Sequence, residues 1–451
     1  MMTTQQSRHM SRRAMLRALA AGVSALGIAP LIGACGQGAP DAESGAATAA
    51  LPEAPAATSS PQDTVTVWYY DGSIGQTVEA FKRANPTIDV DLKLYGDADQ
   101  GLLRALESGA GLPDVSIFSS GSAGQIAQRG GLADLSEAPF DAAALKGDFV
   151  QAAWNGGTNT EGRLIGMPLS IYPGTYWYRA DLLAEAGVES DPARLKERIA
   201  DWPALFQFAK AYTAKRAGAS LLPHVFFDVF NPQLIRQGGG LVENSKLLIE
   251  EKCTQPAQQA LLARTLGLDL PRIADFGAAW DEAIRGGNIT GLFAPTNFQG
   301  YISNIYSNLV GKWRSIPPPG NAFLQGAQYL GIPKASTKQE AAWKFVKYCC
   351  ADVEGQNTLL RTSGDFPALR TAWTDRLYDA PVGFFGDQPV YREWATIAES
   401  AQMLIPSPYD AAIFDALRTA VRRVVDRELN VDVALQGVER QMIEANKGLI
   451  A

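Results

Sequence analysis

The residues best suited to chemistry lie in two short segments. Trp68-Tyr69-Tyr70-Asp71-Gly72 sets flat aromatic faces beside a carboxylate, and Ser119-Ser120-Gly121-Ser122 sets hydroxyls beside backbone N–H groups. Aromatic rings cover the C–H faces of a pyranose while Asp and Ser exchange hydrogen bonds with its hydroxyls, so the pair suits a neutral, hydroxyl-rich ligand. One of Trp68 and Tyr69 is expected to end its strand inside the core instead. Catalytic patterns are scarce. The histidines are two, His9 and His224, which excludes a histidine-clustered zinc centre and makes a Ser-His-Asp relay a poor fit. There is no nucleotide-binding P-loop, no Gly-x-Ser-x-Gly elbow, no His-Glu-x-x-His and no Cys-x-x-Cys; Ser120-Gly121-Ser122-Ala123-Gly124 comes nearest and lacks the first glycine. No metal or cofactor is implied. A glycosidase using two of the 47 carboxylates is the enzyme class left as a rival.

Both segments need a scaffold that brings loop ends together. Residues 64–70 are β-branched and aromatic, 76–84 place Val78 and Phe81 at helical spacing, and 88–94 alternate Ile88, Val90, Leu92 and Leu94 with charged residues. That predicts strand, helix, strand. Lys82 and Arg83 suit the helix's negative end, and Asn85-Pro86 stops it. A second helix over 100–108, a strand over 115–118 and a third helix after Ser122 continue the alternation, which builds a parallel sheet by right-handed crossovers. Ligands in such sheets collect at the carboxyl ends of the strands, where the two polar segments fall.

The chain has 451 residues, 46% apolar and 19% charged, enough for two domains. Ser11-Arg12-Arg13 precedes an apolar stretch ending in Leu31-Ile32-Gly33-Ala34-Cys35. This is the charged and apolar pattern of an export signal peptide, its paired arginines resembling the twin-arginine type. The small residues before Cys35 resemble a lipobox, which implies cleavage after residue 34, lipidation of Cys35, and a membrane lipoprotein facing the periplasm or cell exterior. Loss of residues 1–34 removes four arginines and no acid, taking the formal net charge from −7 to about −11, which argues against nucleic acid as a partner. Residues 36–62 hold nine alanines and four prolines without apolar period, a tether spanning on the order of 30 Å. Cys253, Cys349 and Cys350 remain, an odd set with two adjacent members, expected as buried free thiols.

Further on, residues 166–178 form an extended run with three tyrosines and a tryptophan, as expected of a chain crossing between domains. Residues 226–232 precede an apolar helix; 280–284 read as a helix stopped by Gly286-Gly287, and 289–293 as a strand before the turn Pro295-Thr296-Asn297-Phe298. Thr337 and Glu340 have capping-box spacing ahead of a helix from Ala341, and the last 40 residues are amphipathic helix with Arg418, Arg422 and Arg423 on its solvated face.

The order of these pieces resembles the extracellular solute-binding proteins of ABC importers, in particular the carbohydrate-binding, maltose-binding-protein-like group. The resemblance is carried by Val65 to Gly72, Leu112-Pro113-Asp114-Val115, Gly130-Gly131-Leu132-Ala133-Asp134-Leu135, Gly166-Met167-Pro168, Gly331-Ile332-Pro333-Lys334 with Ala341-Ala342-Trp343-Lys344-Phe345, and Gly364-Asp365-Phe366-Pro367-Ala368. It implies an α/β, two-lobed periplasmic-binding-protein-like fold, each lobe a mainly parallel sheet flanked by helices, with the ligand cleft at the hinge. The lobes would comprise 63–171 with 325–370 and 172–324 with 371–451, crossing near 170–172, 325–329 and 368–371. Cleft positions carried over on the first lobe are Trp68, Tyr70, Asp71, Ser120 and Ser122, with Tyr329 and Asp365 returning late in the chain. Those at the crossing and on the second lobe are Tyr172, Tyr176, Phe227, Asp228, Asn231, Asn297 and Phe298, about half of the whole set being expected to touch ligand. Many members have a tryptophan where Thr296-Asn297-Phe298 stands, which leaves the identity of the sugar open. The implied function is capture of a mono- or oligosaccharide, without turnover, by a monomer that delivers it to membrane permease subunits. A polyol or peptide ligand, a lipid-anchored glycoside-acting enzyme and a non-transport scaffold lipoprotein are the alternatives.

Overall fold

The computed structural model describes residues 63–448 other than 272 and 274–276. The expected leader, lipidated Cys35 and tether lie outside the described residues.

Strand β1 (Asp63–Tyr69) lies parallel to β2 (Ile88–Leu94), in register from Asp63 opposite Ile88 to Tyr69 opposite Leu94. Between them runs α1 (Gly75–Ala84), whose Lys82 and Arg83 occupy the last turn as expected; Lys82 reaches Asp89 at 2.9 Å. Helix α2 (Ala98–Ser108) leads into β3 (Val115–Ser119), also parallel to β1, and α3 (Ser120–Arg129) starts directly at the end of β3. Val65, Val67, Val115 and Ile117 are buried on one face of these strands and Trp68, Ser116 and Phe118 on the other, as a sheet covered on both sides requires.

The extended run forms two strands, β4 (Met167–Pro173) and β5 (Thr175–Arg179), separated by Gly174 alone. They belong to different sheets. Strand β4 joins the large six-stranded sheet, while β5 is the centre of a three-stranded sheet between β8 (Gly291–Ala294) and β9 (Trp313–Ile316); β6 (Val242–Glu243) and β7 (Lys246–Leu247) form a small hairpin. A Cβ on Gly174 would stand 2.2 Å from the Phe323 ring, so the crossing is packed too closely for any other residue. The chain returns through residues 317–323 to β10 (Leu324–Gly331) and later adds β11 (Phe366–Pro367), giving the order β11-β4-β10-β3-β1-β2. The expected crossing at 325–329 is therefore interior strand, paired on both sides, and the passage precedes it.

Among the strands of the described residues, parallel pairing is confined to β1, β2 and β3; β10 and β11 run antiparallel to their neighbours, and the three-stranded sheet is antiparallel throughout. The second lobe's sheet thus corrects the mainly parallel expectation, because antiparallel neighbours need no helical crossover between them. Its two faces bury into different cores. Tyr176 and Tyr178 pack with the helices Trp202–Lys215, Ile249–Thr265, Asp410–Val425 and Val431–Ala445, whereas Trp177 and Trp313 join the core that underlies the large sheet. Residues 372–403 pack into that same core; only from Leu404 onward does the chain enter the other one.

The helix Gln339–Ala351 has Lys338 as its N-cap with no side-chain cap, so the Thr337/Glu340 capping box does not form; Ser336 Oγ instead accepts from the Lys338 N–H at 3.1 Å. Arg418, Arg422 and Arg423 are exposed as expected, and Cys253, Cys349 and Cys350 are buried free thiols. Among the described residues no helix is long and apolar enough to cross a membrane.

Candidate functional site

The loop after β1 is anchored by a residue that no pattern in the sequence singles out. Asp99, in the first turn of α2 and 1% exposed, accepts from Tyr70 Oη at 2.6 Å, from Ser119 N at 3.0 Å, from Ser119 Oγ at 2.7 Å and from Ser122 Oγ at 2.8 Å. One carboxylate thereby ties the ends of β1 and β3 to the starts of two helices. Tyr70 and Ser122, expected at the ligand, donate their protons to this hub. Ser120 Oγ is likewise engaged, accepting from the Ala327 N–H on β10 at 3.2 Å. These side chains build the wall on which the loops sit.

A second polar cluster stands beside it. Asp71 accepts from the Ser73 N–H at 2.9 Å, capping a short helical turn over Gly72–Ile74. Asp365, 7% exposed, accepts from Ser363 Oγ at 2.8 Å and from Tyr172 Oη at 3.4 Å. Burial foremost raises the Asp365 carboxyl from 3.8 to about 6, with the charge of Asp71 adding to it, against the Ser363 and Tyr172 hydrogen bonds. Burial, and then Asp365, also pushes the Tyr172 phenol well above its ordinary value. The Tyr69 hydroxyl, on a residue 2% exposed, has no hydrogen-bond partner among the described residues and lies in the field of both Asp365 and Asp71. This cluster draws on the ends of β1 and β4 and on Gly364, the left-handed residue (φ 74°) that closes the helix Val353–Ser363. A Cβ there would stand 2.8 Å from Gln299 Nε2, so the helix Phe298–Ile305 meets the cluster at this point.

On the second lobe, residues 225–230 form a wide π-helical turn. Asp228 is 2% exposed and accepts from His224 N at 2.8 Å and from Phe293 N at 2.9 Å, stapling the turn to β8. Burial, with the charges of Arg418 and Arg264 adding, drives the His224 imidazole down to about 4, so it is neutral at pH 7. Phe227 is 38% exposed, its ring 4.8 Å from that of His224. Asn231 Oδ1 and Thr296 Oγ1 are buried with no partner among the described residues, and Asn297 is half-buried.

Five expected ligand contacts are core side chains instead. Trp68 is 8% exposed and stacks on Tyr95 at 4.3 Å against α2. Tyr176 donates to the Leu221 carbonyl at 2.9 Å within the second core. Tyr329, wholly buried, stacks on Phe118 at 5.4 Å. Phe298, also buried, lies 6.2 Å from Trp177, and Asp228 is the staple just described. Asp71, Tyr172 and Asp365 are brought together. Asp99, Ser363 and Gln299 are site residues absent from the sequence-based set. Among the described residues no three His, Cys, Asp or Glu side chains converge as a metal site.

The family model for bacterial extracellular solute-binding proteins matches residues 76–385. No curated protein matches the chain in sequence. Among solved structures, an extracellular solute-binding protein of family 1 superposes with a TM-score of 0.77 at 21% identity, covering 85% of this chain and 99% of that one. The sugar-binding protein MalE of Xanthomonas citri gives 0.69 at 21% identity, over 84% and 96%. The galacto-N-biose-/lacto-N-biose I-binding protein of a Bifidobacterium longum ABC transporter gives 0.69 at 16% identity, over 86% and 98%.

Proposed function

The chain belongs to the bacterial extracellular solute-binding proteins, and from that premise we infer that it captures a carbohydrate between its two lobes and passes it to the permease of an ABC importer. The observation that carries the reading is the cluster of Asp71, Tyr172, Ser363 and Asp365 at the ends of strands of the large sheet, where Gln299 of the helix Phe298–Ile305 approaches. Carboxylates and hydroxyls held by their own lobe accept and donate to sugar hydroxyls without reorganising. The buried, unpartnered Asn231 Oδ1 and Thr296 Oγ1 supply matching acceptors and donors on the second lobe. Sugar ligands named for two structural neighbours, β-1,6-galactobiose and lacto-N-biose, support the class.

The lobes pivot on Gly174, on residues 317–323 and on the passage after Met403, and ligand bridging them favours the closed state. Export through the leader, lipidation of Cys35 and a 27-residue tether would hold the body beside its permease. The body from Gln62, titrated calorimetrically with mono- and disaccharides, should bind one sugar per chain with a dissociation constant between about 10 nM and 100 μM. The sugar should be recovered unaltered and the radius of gyration should fall. Cleaved sugar in proportion to protein would establish the glycosidase instead, and no binding across the panel would refute the reading.

A further inference from the structure

Helix α3 leaves the carboxyl end of β3 and carries Ser120 and Ser122 in its first turn. Gly124 lies inside this helix, where glycine costs stability relative to alanine. A Cβ built there would stand 2.2 Å from the Ser407 carbonyl carbon, 2.3 Å from its oxygen and 2.7 Å from Pro408 N. All three are main-chain atoms, so no change of rotamer relieves the overlap. The two partners belong to different cores. Ala123 and Ile126, on either side of Gly124, pack beneath the large sheet, whereas Leu404 and Tyr409, on either side of Ser407-Pro408, pack against the second core. The Ser407 turn is held in place, its N–H and Oγ both donating to the Asp410 carboxylate at 2.8 and 2.5 Å.

This contact stands next to the pivot. The crossing segments are hydrogen-bonded to one another, Gly174 N donating to the Phe323 carbonyl at 2.8 Å and Leu324 N to the Gln402 carbonyl at 2.7 Å. Ser120 binds Ala327 just beyond one crossing, and Ser407 follows just beyond another. Helix α3 starts at the carboxyl ends of the parallel strands, the side on which such sheets take ligands, so a rotation that opens the cleft draws it away from the Ser407 turn.

We propose that Gly124 is the positioning residue for closure: its missing side chain lets α3 seat on Ser407-Pro408 when the lobes shut on a sugar, and the seat is vacated when they part. The inference rests on the carbohydrate reading above and adds the residue that sets how far the lobes travel. A methyl group at 124 is then a wedge. It is harmless in the open protein, where the helix gains from alanine, and it holds the closing lobes short of the geometry in which ligand bridges them.

The test uses the body from Gln62, titrated calorimetrically with glucose, galactose, maltose, lactose and cellobiose, melted without sugar, and measured by small-angle scattering with and without the sugar it binds. Gly124→Ala should raise the melting temperature of the empty protein by about 1–2 °C. Gly437→Ala, inside the helix Val431–Ala445 where a Cβ meets nothing within 4 Å, should do the same and leave binding and compaction unchanged. Gly124→Ala should weaken sugar binding roughly tenfold or more and leave the saturated protein with a larger radius of gyration than saturated wild type. A Gly124→Ala protein that melts below wild type, or fails to fold, shows that the contact persists in the empty state and overturns the inference. Wild-type affinity and compaction in that variant overturn it equally. Wild-type protein that binds sugar without compacting overturns the inference and leaves capture intact, whereas silence from wild type across the panel overturns both.

Discussion

Replacing Asp365 by Asn should stabilise the empty protein at neutral pH and do nothing of the kind in acid. The carboxyl rises from 3.8 to about 6 in the folded protein, which corresponds to about 3 kcal/mol of folding stability forgone once the group is charged. The sign follows from proton binding. Between about pH 4 and 6 the folded state holds this proton and the unfolded chain has lost it, so stability declines as pH rises through that window. Above it the loss is complete. Asparagine keeps the shape without the charge, but weakens the bond from Ser363, a loss of about 1 kcal/mol. The expected net gain is about 1–2 kcal/mol at pH 7.5, falling to zero or below at pH 4. Urea melts of both proteins at pH 4, 5, 6 and 7.5 measure it. Asp410, also raised to about 6 by burial, titrates in both proteins and cancels from the difference. A stability difference independent of pH would refute the reasoning, since it would mean the charge at residue 365 carries no penalty.

Three other outcomes follow from the packing. Trp68→Ala removes a ring buried against Tyr95 and α2 and is expected to cost about 3–5 kcal/mol in urea melts, with sugar affinity of the folded fraction unchanged; a large affinity loss at unaltered stability would place Trp68 in the site after all. Asp99→Ala strands the hydroxyls of Tyr70, Ser119 and Ser122, and should cost on the order of 3 kcal/mol or more while also weakening sugar binding; a neutral result in both assays would dismiss the hub. Burial pushes all three remaining thiols up, so a thiol-reactive chromophore should find none in the native body from Gln62 and three in urea.

What the sequence made legible was the alternation of elements, since hydrophobic period and stop signals act locally. The helix ending in Lys82-Arg83-Ala84 and the first three strands fall where those signals put them. Which side chain faces a ligand is a different matter. In a sheet covered on both faces, Val65, Val67 and Tyr69 are buried on one side and Trp68 on the other, so alternation could not mark Trp68 as core. Asp99 follows Asp97 at a helix start and reads as an ordinary first-turn acid; its role appears only when β1, β3 and α3 converge on it. The Asp71–Tyr172–Asp365 group joins three distant stretches that the resemblance supplied and local pattern could not. The crossing at 317–323 was displaced into β10 because that strand's own residues look no different from those of a connection.

Strand β10 also governs the order in which the molecule can assemble. It fills the slot between β3 and β4, with Ser120 binding Ala327 across 207 residues and Ser170 meeting Gln328 across 158. Until residue 331 has been delivered, the strands made earlier present two bare edges, each a template for pairing with another chain. Contacts so distant in sequence form slowly, because the intervening loop must be closed before any pairing rewards it. The gap at the centre of the large sheet is therefore filled late, after nearly three-quarters of the polypeptide is present. A chain arrested anywhere within the three-stranded sheet would be an aggregation-prone fragment, and the folding of this protein is a problem of holding β3 and β4 apart until their shared neighbour arrives.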